Sequence, residues 1–174
     1  MSAWDTITAT VAAEFSDIPD LEQLTRVVLR LFLAALLGGL IGMQRELAGK
    51  SAGLRTHMLV ALGSALFVLL PLQAGIELSD LSRVIQGLLA GVGFLCAGVI
   101  LKAVGEEHVH GLTTSASLWM AAAIGMGAGL GREATAVLST LMALAILAME
   151  GPLDRLLSRR EQRIVRPRDT DNGG

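Results

Sequence analysis

Residues 38–57 read Gly-Gly-Leu-Ile-Gly-Met-Gln-Arg-Glu-Leu-Ala-Gly-Lys-Ser-Ala-Gly-Leu-Arg-Thr-His. One apolar run leads into this stretch from its N-terminal side, and a second begins as the stretch ends. Charges confined between two hydrophobic runs are typical of a membrane boundary, where basic residues also set the orientation of the helices. The stretch therefore predicts a turn between two membrane helices and contains the first candidate polar site.

The composition of the chain also indicates a membrane protein. Of its 174 residues, 52% are hydrophobic and 17% are charged, and the mean hydropathy is +0.59. Soluble domains carry about 25% charged residues. The net charge of −2 gives no basis for nucleic-acid binding. The single cysteine, Cys96, excludes an intrachain disulfide.

Five apolar runs approach the length of about 20 residues that a helix needs to span a bilayer. They cover residues 27–43, 54–72, 84–101, 112–130 and 134–149. Pro71 predicts the end of the second run, because proline lacks a backbone N–H. The sequence thus predicts an all-α, polytopic membrane protein with about five transmembrane helices and short connections.

The distribution of basic residues predicts the orientation in the membrane. With five spans, the first connection, the third connection and the C-terminal tail lie on one side, and they hold most of the Lys and Arg residues. The positive-inside rule places that side in the cytoplasm and the N-terminus outside. We therefore expect an extracytoplasmic segment at 1–24, a transmembrane domain at 25–151 and a basic cytoplasmic tail at 152–174.

The N-terminal segment predicts a short amphipathic helix. Four apolar residues recur there at helical spacing: Trp4, Ile7, Val11 and Phe15. Such a helix either packs onto the bundle or lies in the outer headgroup layer. Asp20 stands three residues before Gln23, as a capping residue would at the start of the first spanning helix.

Glycines inside the apolar runs indicate close helix packing. Gly38 and Gly42 form one GxxxG pair, and Gly87 and Gly91 form another. Small residues let membrane helices approach closely, either within one bundle or between copies of the chain. A homo-oligomer is therefore one expectation. The glycine-rich stretch 125–131 ends the fourth span and is a candidate break in that helix.

Polar residues within the spans form a second candidate set: Gln86, Thr113, Thr114 and Ser117. Polar groups at membrane depth often mark functional sites. Hydroxyl groups also bond back to carbonyls of their own helix, which is the alternative interpretation.

The charged turn has two interpretations. In the first, its basic residues anchor the helices at lipid phosphates, with Glu46 paired to one of them. In the second, Arg45, Glu46, Arg55 and His57 converge on an anion, a metal or a partner protein. Spacing alone leaves both open.

Acidic residues are absent from the centre of every predicted span, which disfavours a dedicated cation pore. Magnesium is usually held by one or two carboxylates. Two histidines beside two glutamates, at 106–110, are more consistent with a solvated loop than with a metal site. We find no nucleophile–base arrangement and no phosphate-binding loop, so we expect neither enzymatic activity nor a resident cofactor.

Four motifs resemble the MgtC/SapB family of bacterial inner-membrane proteins. They are Gly-Leu-Ile-Gly-Met-Gln-Arg-Glu at 39–46, Ala-Gly-Leu-Arg-Thr-His at 52–57 with the run 59–67, Gly-Val-Gly-Phe-Leu-Cys-Ala-Gly-Val-Ile-Leu-Lys at 91–102, and the stretch 109–126. They occur in order over about residues 25–150. The charged motif of the family falls on Gln44, Arg45 and Glu46, and its loop motif includes Arg55, Thr56 and His57.

The resemblance implies a small inner-membrane protein linked to growth under magnesium limitation and to stress. It implies that the chain modulates other membrane proteins, as a member of the family acts on the proton-translocating ATP synthase. Transport of magnesium or another small solute is the alternative. Magnesium is a possible ligand. Gln44 replaces the first acid of the family motif, which removes one carboxylate from a cation site. The soluble C-terminal domain of longer members is expected to be absent.

Overall fold

A computed structural model of the protein describes residues 2–16, 20–102 and 111–149. These residues form six helices and no strand. The helices are α1 (Ala3–Glu14), α2 (Leu21–Leu47), α3 (Leu54–Gln73), α4 (Leu78–Lys102), α5 (Leu112–Gly129) and α6 (Glu133–Ala148). The prediction of an all-α protein is confirmed, and each of the five apolar runs forms one of the helices α2 to α6.

Three helices are long and apolar enough to cross a membrane: α2, α3 and α4. Helix α6 is apolar but has 16 residues, about 24 Å at 1.5 Å per residue, which is shorter than a hydrocarbon core of about 30 Å. Helix α5 has 18 residues, and its first turns contain four hydroxyl side chains. The arrangement with five spans therefore stays a prediction.

Helix α5 lies at the centre of the bundle. It contacts α2, α3, α4 and α6. Five of the nine buried core residues around it are alanines, and the nine are Ala34, Leu37, Ile41, Ala65, Ile124, Ala128, Ala136, Ala143 and Leu147. Because the alanines are small, the helix backbones approach closely, as is usual where lipid gives no hydrophobic driving force for helix association.

Helix α4 lies at the edge of the bundle and contacts only α3 and α5 among the described helices. Within the apolar window of α4, 6% is buried, against 28% for α2 and 33% for α3. An apolar groove of about 630 Å³ separates α4 from α3. Most of the surface of α4 therefore faces outward.

Capping residues begin the first two helices. In α1, Ser2 and Asp5 form a reciprocal capping box. In α2, the carboxylate of Asp20 accepts a hydrogen bond from the Gln23 amide at 2.7 Å, as predicted. Helix α3 continues through Pro71 to Gln73, so the end predicted at the proline is early by two residues.

Helix α1 does not pack onto the bundle. It makes no contact with the other described helices, and none of its residues is buried. Its four stripe residues are exposed, with Trp4 at 75% and Phe15 at 83%. The interpretation of α1 as a packed cap is therefore wrong for the described residues, and its uncovered apolar stripe fits a helix in the headgroup layer.

Candidate functional site

The turn between α2 and α3 is held by the closest backbone approach of these two helices. A Cβ at Gly42 would lie 2.8 Å from the Gly53 carbonyl oxygen, and a Cβ at Gly38 would lie 2.7 Å from the His57 carbonyl oxygen. Such distances are below van der Waals contact, so both positions require glycine. The pair Gly38/Gly42 thus packs α2 against α3 and fixes where the charged residues of the turn lie.

Glu46 caps the first turn of α3. Its Oε2 accepts a hydrogen bond from the Leu54 amide at 2.8 Å. Gly53, the N-cap residue of α3, has no side chain to do this. A negative group at a helix N-terminus is stabilised by the unpaired amides and by the helix dipole. The carboxylate of the family motif therefore has a structural role in this turn.

His57 and Arg45 are fully buried beside each other at the junction of α2 and α3. His57 Nδ1 lies 2.9 Å from the Gly53 carbonyl oxygen, and His57 Nε2 lies 3.0 Å from Ser117 Oγ on α5. The Gly53 carbonyl oxygen can only accept, so His57 Nδ1 carries the proton and donates to it. In the neutral imidazole Nε2 is then an acceptor for the Ser117 hydroxyl, whose oxygen also lies 2.8 Å from the Thr114 carbonyl oxygen. A polar chain thus joins α3 to α5 inside the bundle.

The predicted polar cluster consists of two buried and three exposed residues. Arg45 and His57 point into the bundle, whereas Glu46, Arg55 and Thr56 are exposed at its end. We call this end, where α2 and α4 finish and α3 and α5 begin, the loop end. The five residues therefore share one end of the molecule but do not converge on a single point.

The predicted intramembrane set is divided as well. Thr114 and Ser117 are buried on α5, while Thr113 on the same helix is exposed. Gln86 is exposed on the outer helix α4. Of these four residues, only the two buried ones, Thr114 and Ser117, take part in the series of hydrogen bonds that begins at His57.

The second glycine pair packs against nothing in the described structure. A Cβ at Gly87 or Gly91 would meet no atom within 4 Å, and both residues line the groove between α3 and α4. In contrast, Gly125 and Gly129 on α5 lie directly against the backbone of α3 at Ala61 and Ala65. The α5 glycines therefore make the close packing that the α4 pair does not.

Two polar links were not predicted from the sequence. Ser115 Oγ donates to the Cys96 carbonyl oxygen at 3.0 Å, and Cys96 Sγ donates to the Ser115 carbonyl oxygen at 3.2 Å. Arg30 donates to the Gly129 carbonyl oxygen at 3.3 Å and lies 3.6 Å from a Glu133 oxygen. The position of Arg30 within an apolar run is the signal that could have found this link, since a charge drawn partly out of water requires partners.

The described residues contain no group of three or more His, Cys, Asp or Glu side chains placed to hold a metal ion. The histidine and glutamate candidates at 106–110 lie outside the described residues. Gln44, which replaces the first acid of the motif, donates from Nε2 to the Leu147 carbonyl oxygen at 3.4 Å, and so links α2 to α6.

These features define a helical membrane protein whose helices meet through glycine contacts and a polar turn. Residues 31–156 match the MgtC family, and the chain belongs to that family. The comparison with solved structures gave no significant match.

Named relatives are similar to the chain over much of its length. It is 44% identical to "Protein SrpB" of Synechococcus elongatus over 73% of this chain and 76% of that protein. It is 41% identical to "Putative magnesium transporter YhiD" of Escherichia coli K12, over 69% of this chain and 58% of that protein. The identity to "Protein MgtC" of Brucella abortus is 41%, over 71% of this chain and 51% of that protein.

Proposed function

We propose that the chain is a non-enzymatic inner-membrane protein that modulates other membrane proteins and supports adaptation to low magnesium or other stress. Its family membership and the name of the YhiD relative connect it with magnesium. The proposed partners are membrane proteins and lipids, and its role is regulatory.

The hydrogen bond from the Leu54 amide to Glu46 is the observation that carries this proposal. It accounts for the motif carboxylate as a helix cap, without a metal. On the same turn, Arg55 and Thr56 are exposed, and an exposed cationic surface at a membrane boundary suits contact with an acidic partner. We place this loop end in the cytoplasm, with five spans and the N-terminus outside, because the basic segments follow the positive-inside rule.

A homo-oligomer through α4 is part of the proposal. Its outward surface includes Gln86, Gly87 and Gly91, and glycines favour close helix contacts in lipid. A glutamine at membrane depth also gains from a hydrogen-bonding partner on another helix.

Transport of magnesium or another small solute is the second candidate. The buried polar chain of His57, Ser117 and Thr114 favours it, as does the name of the YhiD relative. Polar groups that face a bundle interior are common along solute pathways.

Magnesium flux into liposomes separates the two candidates. We expect the purified full-length protein to give no entry of magnesium above empty vesicles, read with an internal indicator dye. Saturable flux that Glu46→Gln abolishes would instead establish transport. Glutamine keeps an oxygen acceptor for the Leu54 amide while it removes the charge, so the variant tests the charge. Glu77→Gln is the matched control, because Glu77 is an exposed acid at the opposite end of the bundle.

Partner binding tests the preferred candidate directly. We expect Arg55→Gln to reduce several-fold the amount of partner protein that co-purifies from native membranes, with the inserted level of the chain unchanged. Arg132→Gln removes an exposed arginine at the opposite end and is expected to leave partner recovery intact. Equal recovery from both variants, or a loss of inserted protein in Arg55→Gln, would support a purely anchoring role for Arg55.

A further inference from the structure

Helix α5 ends short of its neighbours at the end of the bundle opposite the loop end. Its last residue, Gly129, lies against Ala65 of α3, where an added Cβ would come within 2.9 Å of the Ala65 Cα. Helix α3 continues for eight more residues to Gln73, about 12 Å at 1.5 Å per residue. Arg30 of α2 contacts the Gly129 carbonyl oxygen, and α2 extends nine residues beyond Arg30 to Leu21, about 13 Å. Both neighbouring helices therefore rise above the turn between α5 and α6 by similar amounts.

This turn lies at hydrocarbon depth. Helix α3 has 20 residues, about 30 Å, which matches a hydrocarbon core of about 30 Å. Its last turns stay apolar, and Phe67 and Leu70 are exposed there, as side chains that face lipid are. A turn that lies about 12 Å below the end of α3 is inside the core. It includes Arg132 and leads into Glu133, and charges at such depth are stabilised by local bilayer thinning and by water.

A cavity of about 390 Å³ lies between the parts of α2 and α3 that rise above the turn. We call this cavity the recess. Its volume is within the range of small-ligand sites, about 300–1,000 Å³. Val27, Leu69 and Leu72 give it an apolar wall. Arg30 lies deepest on the α2 side, since the other α2 residues that line the recess come before it in the helix.

Arg30 has hydrogen-bond donors for a ligand in the recess. Of its five N–H donors, one makes a hydrogen bond to a described residue, from Nη1 to the Gly129 carbonyl oxygen at 3.3 Å. Nε lies 3.6 Å from a Glu133 carboxylate oxygen, which is beyond hydrogen-bond distance, and has no hydrogen-bond partner within the described part of the chain. The side chain is 26% exposed. Because a charge drawn partly out of water requires partners, the guanidinium indicates a ligand that accepts hydrogen bonds.

We propose that the recess binds the phosphate group of a phospholipid, with Arg30 as its main contact. The planar fork of a guanidinium matches the oxygens of a phosphate. The apolar wall lies beside the glycerol and the first acyl carbons. Because the turn between α5 and α6 lies below the ends of α2 and α3, the bilayer thins there and brings a headgroup down to Arg30. This proposal goes beyond the regulatory function and does not depend on it.

The charges of the recess favour a zwitterionic lipid over an anionic one. The lining includes two acids, Asp20 and Glu22, and two arginines, Arg26 and Arg30, so the formal charges cancel. Glu22 pairs with Arg26 on the exposed surface of α2. An ethanolamine headgroup supplies a phosphate for Arg30 and an ammonium group for the acids. Phosphatidylethanolamine is therefore the probe.

Native mass spectrometry of the purified full-length protein tests binding. The protein in detergent is titrated with phosphatidylethanolamine, and with a galactolipid that has the same acyl chains and no phosphate. We expect tighter binding of the phospholipid, and we expect Arg30→Gln to weaken it about tenfold, the size expected for one hydrogen bond to a charged group. Arg83→Gln removes an exposed arginine of α4 at the same end, and we expect it to leave the dissociation constant within about twofold.

A steric variant tests the recess with Arg30 in place, since Arg30→Gln also removes a link between α2 and α5. Gln73 is exposed and lines the recess, so Gln73→Trp fills its mouth. Gln86→Trp makes the same change at an exposed glutamine of α4 that lies outside the recess. We expect Gln73→Trp to remove the preference for the phospholipid and Gln86→Trp to keep it.

Thiol labelling in lipid nanodiscs, whose two faces are both open to solvent, tests the depth of the recess. A thiol reacts as the thiolate, so a membrane-impermeant maleimide labels Arg132→Cys, in the turn, where water reaches it. Leu29→Cys is the control, because Leu29 adjoins Arg30 in sequence and is 54% exposed on the outer surface. Both variants also carry Cys96→Ser, which leaves one thiol in each. We expect labelling at position 132 to be at least about tenfold faster than at position 29.

Four results would each overturn the proposal. The first is equal affinity of the wild-type protein for the two lipids. The second and third are equal effects of Arg30→Gln and Arg83→Gln, and equal effects of Gln73→Trp and Gln86→Trp. The fourth is equal labelling at positions 132 and 29, because fast labelling of both would place this part of α2 outside the hydrocarbon, and slow labelling of both would mean that no water reaches the turn.

Discussion

Gly125→Ala is expected to lower the free energy of unfolding by about 3 kcal/mol or more, in the upper part of the range for overpacked positions. A Cβ at Gly125 would overlap the carbonyl oxygen of Ala61 and lie 2.8 Å from the Ala61 Cα. These are backbone atoms of α3, so no side-chain rotation relieves the overlap. The two central helices must separate, and the packing around α5 is lost with them.

Gly127→Ala provides the matched control for this prediction. Gly127 lies two residues along the same helix, and a Cβ there would make an ordinary contact of 3.7 Å with the Ala136 Cβ. Alanine gains up to about 1 kcal/mol over glycine in helix propensity, so this variant should be neutral or slightly more stable. Unfolding of the purified protein in a detergent titration measures both. Similar stabilities for the two variants would contradict the assignment of α5 to the bundle centre.

The sequence predicts where the helices lie but does not predict how these glycines pack. The stretch 125–131 is predicted to end the fourth span and is a candidate break in it, because glycine destabilises helices. Helix α5 does end within this stretch, at Gly129. It is not broken at Gly125, however, and Gly125 and Gly129 lie on its face toward α3. Apolar length identifies which segments are helices. Which neighbouring helix each small face packs against depends on the three-dimensional arrangement, and the apolar pattern of the sequence does not show it.

For the candidate site, too, the sequence predicts the position but not the side-chain contacts. The position of the charges between two apolar runs located the loop end correctly. The capping of Leu54 by Glu46 joins residues eight apart across a turn, and it depends on Gly53 lying against α2. The burial of His57 and Arg45 inside the bundle, with Arg55 exposed, depends on the rotation of each helix about its axis. Uniformly apolar helices give little periodicity from which to read that rotation.

The buried histidine gives the second large expected effect. His57→Ala should destabilise the protein by about 3 kcal/mol, near the lower end for removal of a large buried ring. The imidazole is fully buried, so its removal leaves a cavity at the junction of α2, α3 and α5. It also removes the hydrogen bond to Ser117 that joins α3 to α5. The same detergent titration measures the loss.

Leu59→Ala is the control for His57→Ala, because Leu59 lies on the same helix and is 69% exposed. It is expected to cost less than about 1 kcal/mol, since it deletes an outward-facing side chain. A double-mutant cycle with Ser117→Ala isolates the hydrogen bond, for which we expect a coupling of about 1 kcal/mol. The Ser117 oxygen lies 2.8 Å from the Thr114 carbonyl oxygen, so the hydroxyl donates there when the imidazole is removed, and the coupling stays modest. Equal costs for His57→Ala and Leu59→Ala would place the histidine outside the core. A coupling near zero would mean that the bond to Ser117 contributes nothing, and that the cavity alone accounts for the loss of stability.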